Sequence, residues 1–124
     1  MRTRILVVED DPDNLETLGL LLSTWQYDVL LAHSGELAIG MAAAAPVDVV
    51  LLDLGLPGIQ GEEVAAILKA GISPPYIVAY TGYERLEEAA LAAGCDAFLV
   101  KPSLDKLAAL LVALDLRRAK ESLP

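Results

Sequence analysis

The sequence predicts an α/β fold, (βα)5, with five βα units building a doubly wound parallel five-stranded sheet, and three observations predict it. Short runs rich in Val, Ile and Leu recur without alternating with polar residues, as strands covered on both faces do. Segments with helical spacing of apolar residues lie between the runs. Residues that start and stop helices stand at the junctions. Alternating elements of this kind imply right-handed crossovers and an open sheet with helices on both faces.

The first run, Ile5 to Val8, leads to Asp11-Pro12, which read as N-cap and first helical position. Leu15, Leu18, Leu22 and Trp25 then share one stripe, which makes Trp25 a core residue. Val29 to Leu31 is the second run. Ser34 can cap the helix after it, whose stripe is Leu37, Met41 and Ala44 and which should stop at Pro46. The third run, Val47 to Leu52, precedes a Gly- and Pro-rich loop, Leu54-Gly55-Leu56-Pro57-Gly58-Ile59-Gln60-Gly61. Val64, Ile67 and Leu68 mark the third helix, and Gly71 its end. Ile77 to Ala79 is the fourth run; a weaker stripe of Leu86, Ala90 and Ala93 follows and ends at Gly94. Phe98 to Val100 is the fifth. Ser103 can cap the last helix, where Leu104, Leu107, Leu110, Leu111 and Leu114 form the strongest stripe.

A chain of 124 residues suits one compact domain, 1–124, and leaves little room for a second. The five βα units use up that length, so any output is expected from the surface of the domain itself. A single cysteine, Cys95, excludes a disulfide framework and a cysteine-built zinc site. The hydrophobic fraction is 55% and the mean hydropathy +0.49, yet charges and glycines interrupt every apolar stretch before it reaches membrane-span length. The N-terminal run is too short, and too acidic behind, for a secretory signal, so a cytoplasmic location is expected. Nine basic against eighteen acidic residues give a net charge of −9, which argues against nucleic acid and anionic membranes as partners. The acid excess suits a cation or a basic partner surface, and equally plain solubility.

Open parallel sheets bind ligands beyond the carboxyl ends of their strands, so the residues just after each run matter most. They are Glu9, Asp10 and Asp11, then His33, Asp53, Thr81 and Lys101. Glu9, Asp10 and Asp53 would crowd at one edge and repel, and a hard divalent cation resolves that conflict. Mg2+ prefers oxygen ligands, uses one or two protein carboxylates and commonly shares a phosphate oxygen. Lys101 adds a positive charge from the far side. A nearly neutral site of this kind can accept a phosphoryl group, with the cation, the ammonium and the Thr81 hydroxyl stabilising its oxygens. Asp53, ending the long buried run before the loop, is then the nucleophile, because carboxylates form acyl phosphates.

Four stretches, Ile5-Leu-Val-Val-Glu-Asp-Asp-Pro12, Val47-Asp-Val-Val-Leu-Leu-Asp53-Leu-Gly-Leu-Pro-Gly58, Tyr80-Thr81-Gly82-Tyr83 and Gly94-Cys-Asp-Ala-Phe98-Leu-Val-Lys101-Pro102, stand in this order. Together they make the chain resemble, over nearly all its length, the receiver domain of two-component response regulators. The resemblance implies a flavodoxin-like strand order, 2-1-3-4-5. It implies that Glu9, Asp10, Asp53 and the backbone carbonyl of Gly55 hold Mg2+, with Mn2+ as a substitute. Asp53 would be the phosphoacceptor, taking its phosphoryl group from a phosphohistidine of a sensor histidine kinase or histidine phosphotransfer protein. Thr81 and Lys101 would contact the phosphoryl oxygens, Phe98 would be the switch aromatic moved by Thr81, and the Lys101-Pro102 peptide would be cis. A downstream protein would dock on the face from the fourth to the fifth helix. The chain would be a monomer or weak dimer and a phosphorelay component that catalyses only its own phosphorylation and dephosphorylation, not an enzyme with turnover.

Several positions refine the resemblance. Gly55 and Tyr83 occupy the two variable sites that flank the phosphoryl group in receivers, Gly55 leaving an approach open and Tyr83 partly covering it. Gln60 stands where an Asp often precedes the glycine. Ala97, and Leu111-Val-Ala-Leu114 in place of basic positions, weigh against the charged dimer face of winged-helix regulators. The loop and the last strand look more like receivers attached to or working beside hybrid sensor kinases. Other residues keep a plain structural role: His33 as a surface histidine, Cys95 as a small buried residue, Asp11 as a helix cap, and Glu84, Glu87 and Glu88 as a solvated face. Two other readings compete. A metal-dependent phosphohydrolase resembling haloacid dehalogenases would need a second acid two residues after Asp53, where Gly55 stands. A scaffold with the same fold would not need the whole set of site residues.

Overall fold

A computed structural model describes residues 2–56, 58–121 and 123; Met1, Pro57, Ser122 and Pro124 lie outside them, and with Pro57 one residue of the loop after the third run. The strands are β1 (Arg4–Val8), β2 (Asp28–Ala32), β3 (Val49–Leu52), β4 (Tyr76–Thr81) and β5 (Ala97–Val100). The helices are α1 (Pro12–Thr24), α2 (Gly35–Ala44), α3 (Gly61–Lys69), α4 (Glu87–Ala92) and α5 (Leu104–Glu121). All strand pairs are parallel, in the order β2-β1-β3-β4-β5.

The apolar runs become strands because both faces are covered. Leu6, Val8, Val50, Leu52, Ile77 and Ala79 pack into one core with Ala38, Val64, Ala65, Leu68 and Ala90 from α2, α3 and α4. Their neighbours Ile5, Val7, Val49, Leu51, Val78 and Tyr80 pack into the other, with Leu18 and Leu22 of α1 and Leu107, Leu111 and Leu114 of α5. Each fully buried Val, Leu or Ile contributes about 1.5–3 kcal/mol relative to exposure. The edge strands β2 and β5 are only half covered.

Several boundaries differ from expectation. β3 begins at Val49, not Val47, because the Asp48 carboxylate accepts the Arg4 N–H at 2.8 Å. In α2 the buried positions are Gly35 and Ala38, whereas Leu37 is exposed and Met41 only half buried. Apart from Glu36 that helix carries only apolar residues, so its inward face is set by where small side chains let it approach α3. In α3 Ala65 is buried and Ile67 exposed. The fourth stripe resolves into a 3-10 turn over Glu84–Leu86 followed by a single short α-helix. Trp25 is half buried against the α1 and α5 core and forms the C-cap of α1. Gln26 after it takes a left-handed conformation, φ 75°, as the chain turns into β2.

The caps at Asp11 and Ser34 form: Asp11 accepts the N–H groups of Asp13 and Asn14, and the Ser34 hydroxyl accepts that of Leu37 at 3.2 Å. Ser103 does not cap through its side chain. Its carbonyl accepts the Leu107 N–H, but its hydroxyl donates to the Val100 carbonyl.

Candidate functional site

The register carries the site residues together. Val8 pairs with Leu52, and the ladder runs one residue further, with the Asp53 N–H donating to the Val8 carbonyl at 3.0 Å and the Glu9 N–H to the Ala32 carbonyl at 3.1 Å. On the other side the Lys101 N–H donates to the Thr81 carbonyl at 2.8 Å. The chain positions following three strands are therefore fixed by sheet hydrogen bonds before any side-chain contact is counted.

One oxygen each from Glu9, Asp10 and Asp53 lies within 4.8 Å of the others. Glu9 is buried and Asp10 exposed. The Lys101 ammonium reaches Glu9 Oε2 at 2.8 Å and Asp53 Oδ2 at 3.1 Å. The other Asp53 oxygen accepts the Gly55 N–H at 3.0 Å. Gly55 is open: among the described residues a Cβ there would meet only Asp53 Oδ1, at 3.7 Å. Gly61 is closed, since a Cβ there would lie 2.7 Å from the Leu54 Cα, so the loop re-enters α3 by a close backbone approach that only glycine permits.

The electrostatics separate the two inner carboxyls. Burial pushes the Glu9 carboxyl up, and its interaction with Asp53 adds to this more than Lys101 offsets. Burial alone would also raise Asp53, but its interactions with Glu9, the Gly55 N–H and Lys101 outweigh burial and hold it below the usual carboxylate range. Of the two, Glu9 is therefore the carboxyl that holds a proton more readily, and Asp53 the one that favours the carboxylate. Lys101 feels burial first, which favours the neutral amine, yet the two carboxylates overcome it and raise its pKa, so it stays an ammonium. Three carboxylates facing one ammonium leave a negative, oxygen-lined cleft edge, the donor set a hard divalent cation takes.

Thr81 ends β4 and is fully buried. Its hydroxyl accepts the Tyr83 N–H at 3.4 Å and, among the described residues, makes no hydrogen bond with Asp53 or Lys101. Phe98 pairs with Ala79 in the sheet and is half buried against the α2, α3 and α4 core, apart from the carboxylates. The Lys101-Pro102 peptide bond is cis. Asp11 turns away as the α1 cap, His33 and Tyr83 are exposed, Cys95 is buried, and Glu84, Glu87 and Glu88 face solvent. Two further residues contribute to which the sequence pattern assigns no role. Tyr80 carries the Lys101 ammonium 5.7 Å from its ring centroid and accepts the Ser103 N–H with its hydroxyl at 3.1 Å, tying β4 to the start of α5. Its position beside Thr81 was the available signal. Glu36, on α2, accepts the Ile59 N–H of the β3–α3 loop at 3.1 Å; nothing in the spacing links these two positions.

Comparison with known proteins agrees with this arrangement. The family model of the response regulator receiver domain matches residues 5–113. The transcriptional regulatory protein KdpE of Mycobacterium tuberculosis is 38% identical over 101 residues, covering 81% of this chain and 45% of that protein. The response regulator MprA of the same species is 40% identical over 123 residues, covering 97% of this chain and 53% of MprA. The chain thus spans about half the length of the curated relatives it matches. Neither name is that of a hybrid sensor kinase. The crystal structure of the response regulator TrrA from Thermotoga maritima, in complex with Mg(2+)-BeF, superposes with a TM-score of 0.84 at 31% identity, covering 90% of this chain and 98% of that one. In sheet order, in the residues gathered at the strand ends and in these likenesses, the chain belongs to the response regulator receiver domain family.

Proposed function

We propose that this chain is the phosphoacceptor of a two-component phosphorelay and that Asp53 is the residue modified. The observation that carries the reading is the pairing of an ionised Asp53 with a bridging Lys101 ammonium beside Glu9 and Asp10. Asp53 attacks the phosphorus of a phosphohistidine on a sensor histidine kinase or histidine phosphotransfer protein. The new O–P bond forms as the P–N bond breaks, and the imidazole leaves with the electron pair. Lys101 neutralises phosphoryl charge, and Thr81 supplies a hydroxyl donor once it turns toward the group.

The donor set fits Mg2+, with Mn2+ as a substitute, held by Glu9, Asp10, Asp53 and the Gly55 carbonyl. When bound, such an ion polarises the phosphoryl oxygens and relieves carboxylate repulsion. Thr81 and Lys101 then make contacts in the phosphorylated state that the free state lacks, and this difference shifts a two-state equilibrium. Phe98, on the strand ending at Lys101, reports that shift to the face of α4, β5 and α5, where Leu91, Leu104, Val112 and Leu116 are exposed for a downstream protein.

On this reading residues 1–124 act as one receiver domain, a monomer or weak dimer that catalyses only its own phosphorylation and dephosphorylation. It would work in the cytoplasm without a nucleic-acid or membrane contact of its own; no helix among the described residues is long and apolar enough to cross a membrane. Incubation with acetyl phosphate and Mg2+ followed by intact mass measurement tests the proposal. One phosphate adduct is expected on the wild type and none on Asp53→Asn. No adduct on the wild type, or one that survives the substitution, would overturn it.

A further inference from the structure

The loop that carries Asp53 into α3 has few ties of its own. Leu54 and Leu56 are buried, and the Gly55 N–H turns back onto Asp53. Among the described residues between Asp53 and α3, the hydrogen bonds to other elements are the Val64 N–H of α3 onto the Gln60 carbonyl, where the helix begins, and one cross-link to a distant element, from the Ile59 N–H to Glu36 Oε1, at 3.1 Å. The sequence around that bond is shaped to it from both sides. Gly58 sits at φ +74°, and a Cβ there would come within 3.0 Å of Glu36 Oε1. Gly35, next to Glu36, leaves room for the loop, because a Cβ there would lie 2.5 Å from Ile59 Cγ2 and 2.6 Å from Val64 Cγ2. Two glycines, on separate elements, thus permit one carboxylate to hold one amide. The Glu36 carboxyl sits below the usual range, first through its own backbone N–H and then through that of Ile59, so it accepts the bond as an anion. As an exposed glutamate it has no burial to gain.

We infer that Glu36 is a positioning residue of the phosphoacceptor site, a latch from α2 that holds the β3–α3 loop and with it the Gly55 backbone presented to the cation. The inference rests on the phosphoacceptor reading above. A loop released at Ile59 would sample more conformations, and cation binding would then have to order it, which costs affinity. Glu36 is not in the carboxylate group of Glu9, Asp10 and Asp53, so its effect would run through the loop. Positions that orient metal ligands indirectly change affinity by about 10–100-fold when altered. A single hydrogen bond to a loop backbone belongs at the lower end.

The test uses Mg2+ titration by calorimetry and amide hydrogen exchange by NMR. In the wild type, saturating Mg2+ should slow exchange at Ile59. Glu36→Ala should speed exchange there and weaken Mg2+ about tenfold, whereas Glu36→Gln, which keeps an acceptor oxygen, should restore both to near wild type. Gly58→Ala should resemble Glu36→Ala. An affinity in Glu36→Ala within twofold of wild type overturns the inference. So does an equal loss in Glu36→Gln, which would make the effect one of charge, or an Ile59 amide in the wild type that ignores Mg2+. A wild type that binds no Mg2+ at all removes the phosphoacceptor reading itself, which separates the two failures.

Discussion

Lys101 Nζ stands 2.8 Å from Glu9 Oε2 and 3.1 Å from Asp53 Oδ2, a single ammonium bridging carboxylates from two strands. It occupies part of the negative field that a divalent cation would otherwise neutralise. Removing one partner of a buried pair costs about 3–5 kcal/mol, and the Lys101 side chain is 23% exposed. Lys101→Met without divalent cation should therefore lose about 2 kcal/mol in urea denaturation, below that buried limit. Mg2+ should restore more stability to the variant than it adds to the wild type, because binding the folded state alone stabilises by mass action. Equal urea midpoints for variant and wild type in chelator would show that the bridge contributes nothing.

Asp10 differs from Glu9 and Asp53 in being exposed. As an exposed carboxylate next to two others it brings repulsion and no packing. Asp10→Asn should leave urea stability unchanged, or raise it by about 0.5 kcal/mol, while weakening Mg2+ at least tenfold by calorimetry. A loss of stability without a loss of affinity would assign Asp10 a structural role instead.

Much of this site could be read from the sequence because a parallel sheet converts chain order into place. Glu9, Asp53, Thr81 and Lys101 each follow an apolar run, and the runs pair in a fixed register, so four positions far apart in sequence meet at one edge. What stayed hidden depends on contacts between side chains and backbone of separate elements. The Glu36 to Ile59 bond has no periodicity to betray it. The face of α2 was obscured because Leu37, Ile39 and Met41 are all apolar, and only packing against α3 selects Ala38. The Ser103 hydroxyl had two acceptable uses, and the Val100 carbonyl claims it.

At the opposite end of the sheet, Asp115 of α5 accepts the Thr3 hydroxyl at 2.5 Å and the Tyr27 hydroxyl at 2.8 Å. Arg118 joins the group, donating to Thr3 and pairing with Asp48 at 3.1 Å. Thr3 and Tyr27 are both buried, so a lost acceptor leaves both hydroxyl protons without an acceptor, the Thr3 oxygen keeping its bond from Arg118. Asp115→Ala should destabilise by about 1–3 kcal/mol, the cost of unsatisfied buried groups. Phosphorylation of Asp53 by acetyl phosphate should be unaffected under conditions where the variant is folded, since the network lies away from the strand ends that hold the site. A change in phosphorylation rate with stability intact would link the two ends instead.

Cys95 lies 5% exposed, and burial first, with the charges of Asp96 and Glu62 after it, pushes its thiol from 9.0 up to about 11. Tyr27 is raised as well, by burial and then by Asp115. Both groups are neutral when protonated, so the folded state binds their protons more tightly than the unfolded state does. Stability from this source is fully present below the unfolded pKa values and is lost as pH rises toward the folded ones. For Cys95 the window opens near pH 9, and by pH 10 the loss amounts to about 1 kcal/mol. Urea denaturation from pH 7.5 to 10 should therefore show a flat region and then a decline, and Cys95→Ala should decline less steeply over the last unit. Identical slopes for the two proteins would mean that the Cys95 thiolate is as well accommodated folded as unfolded.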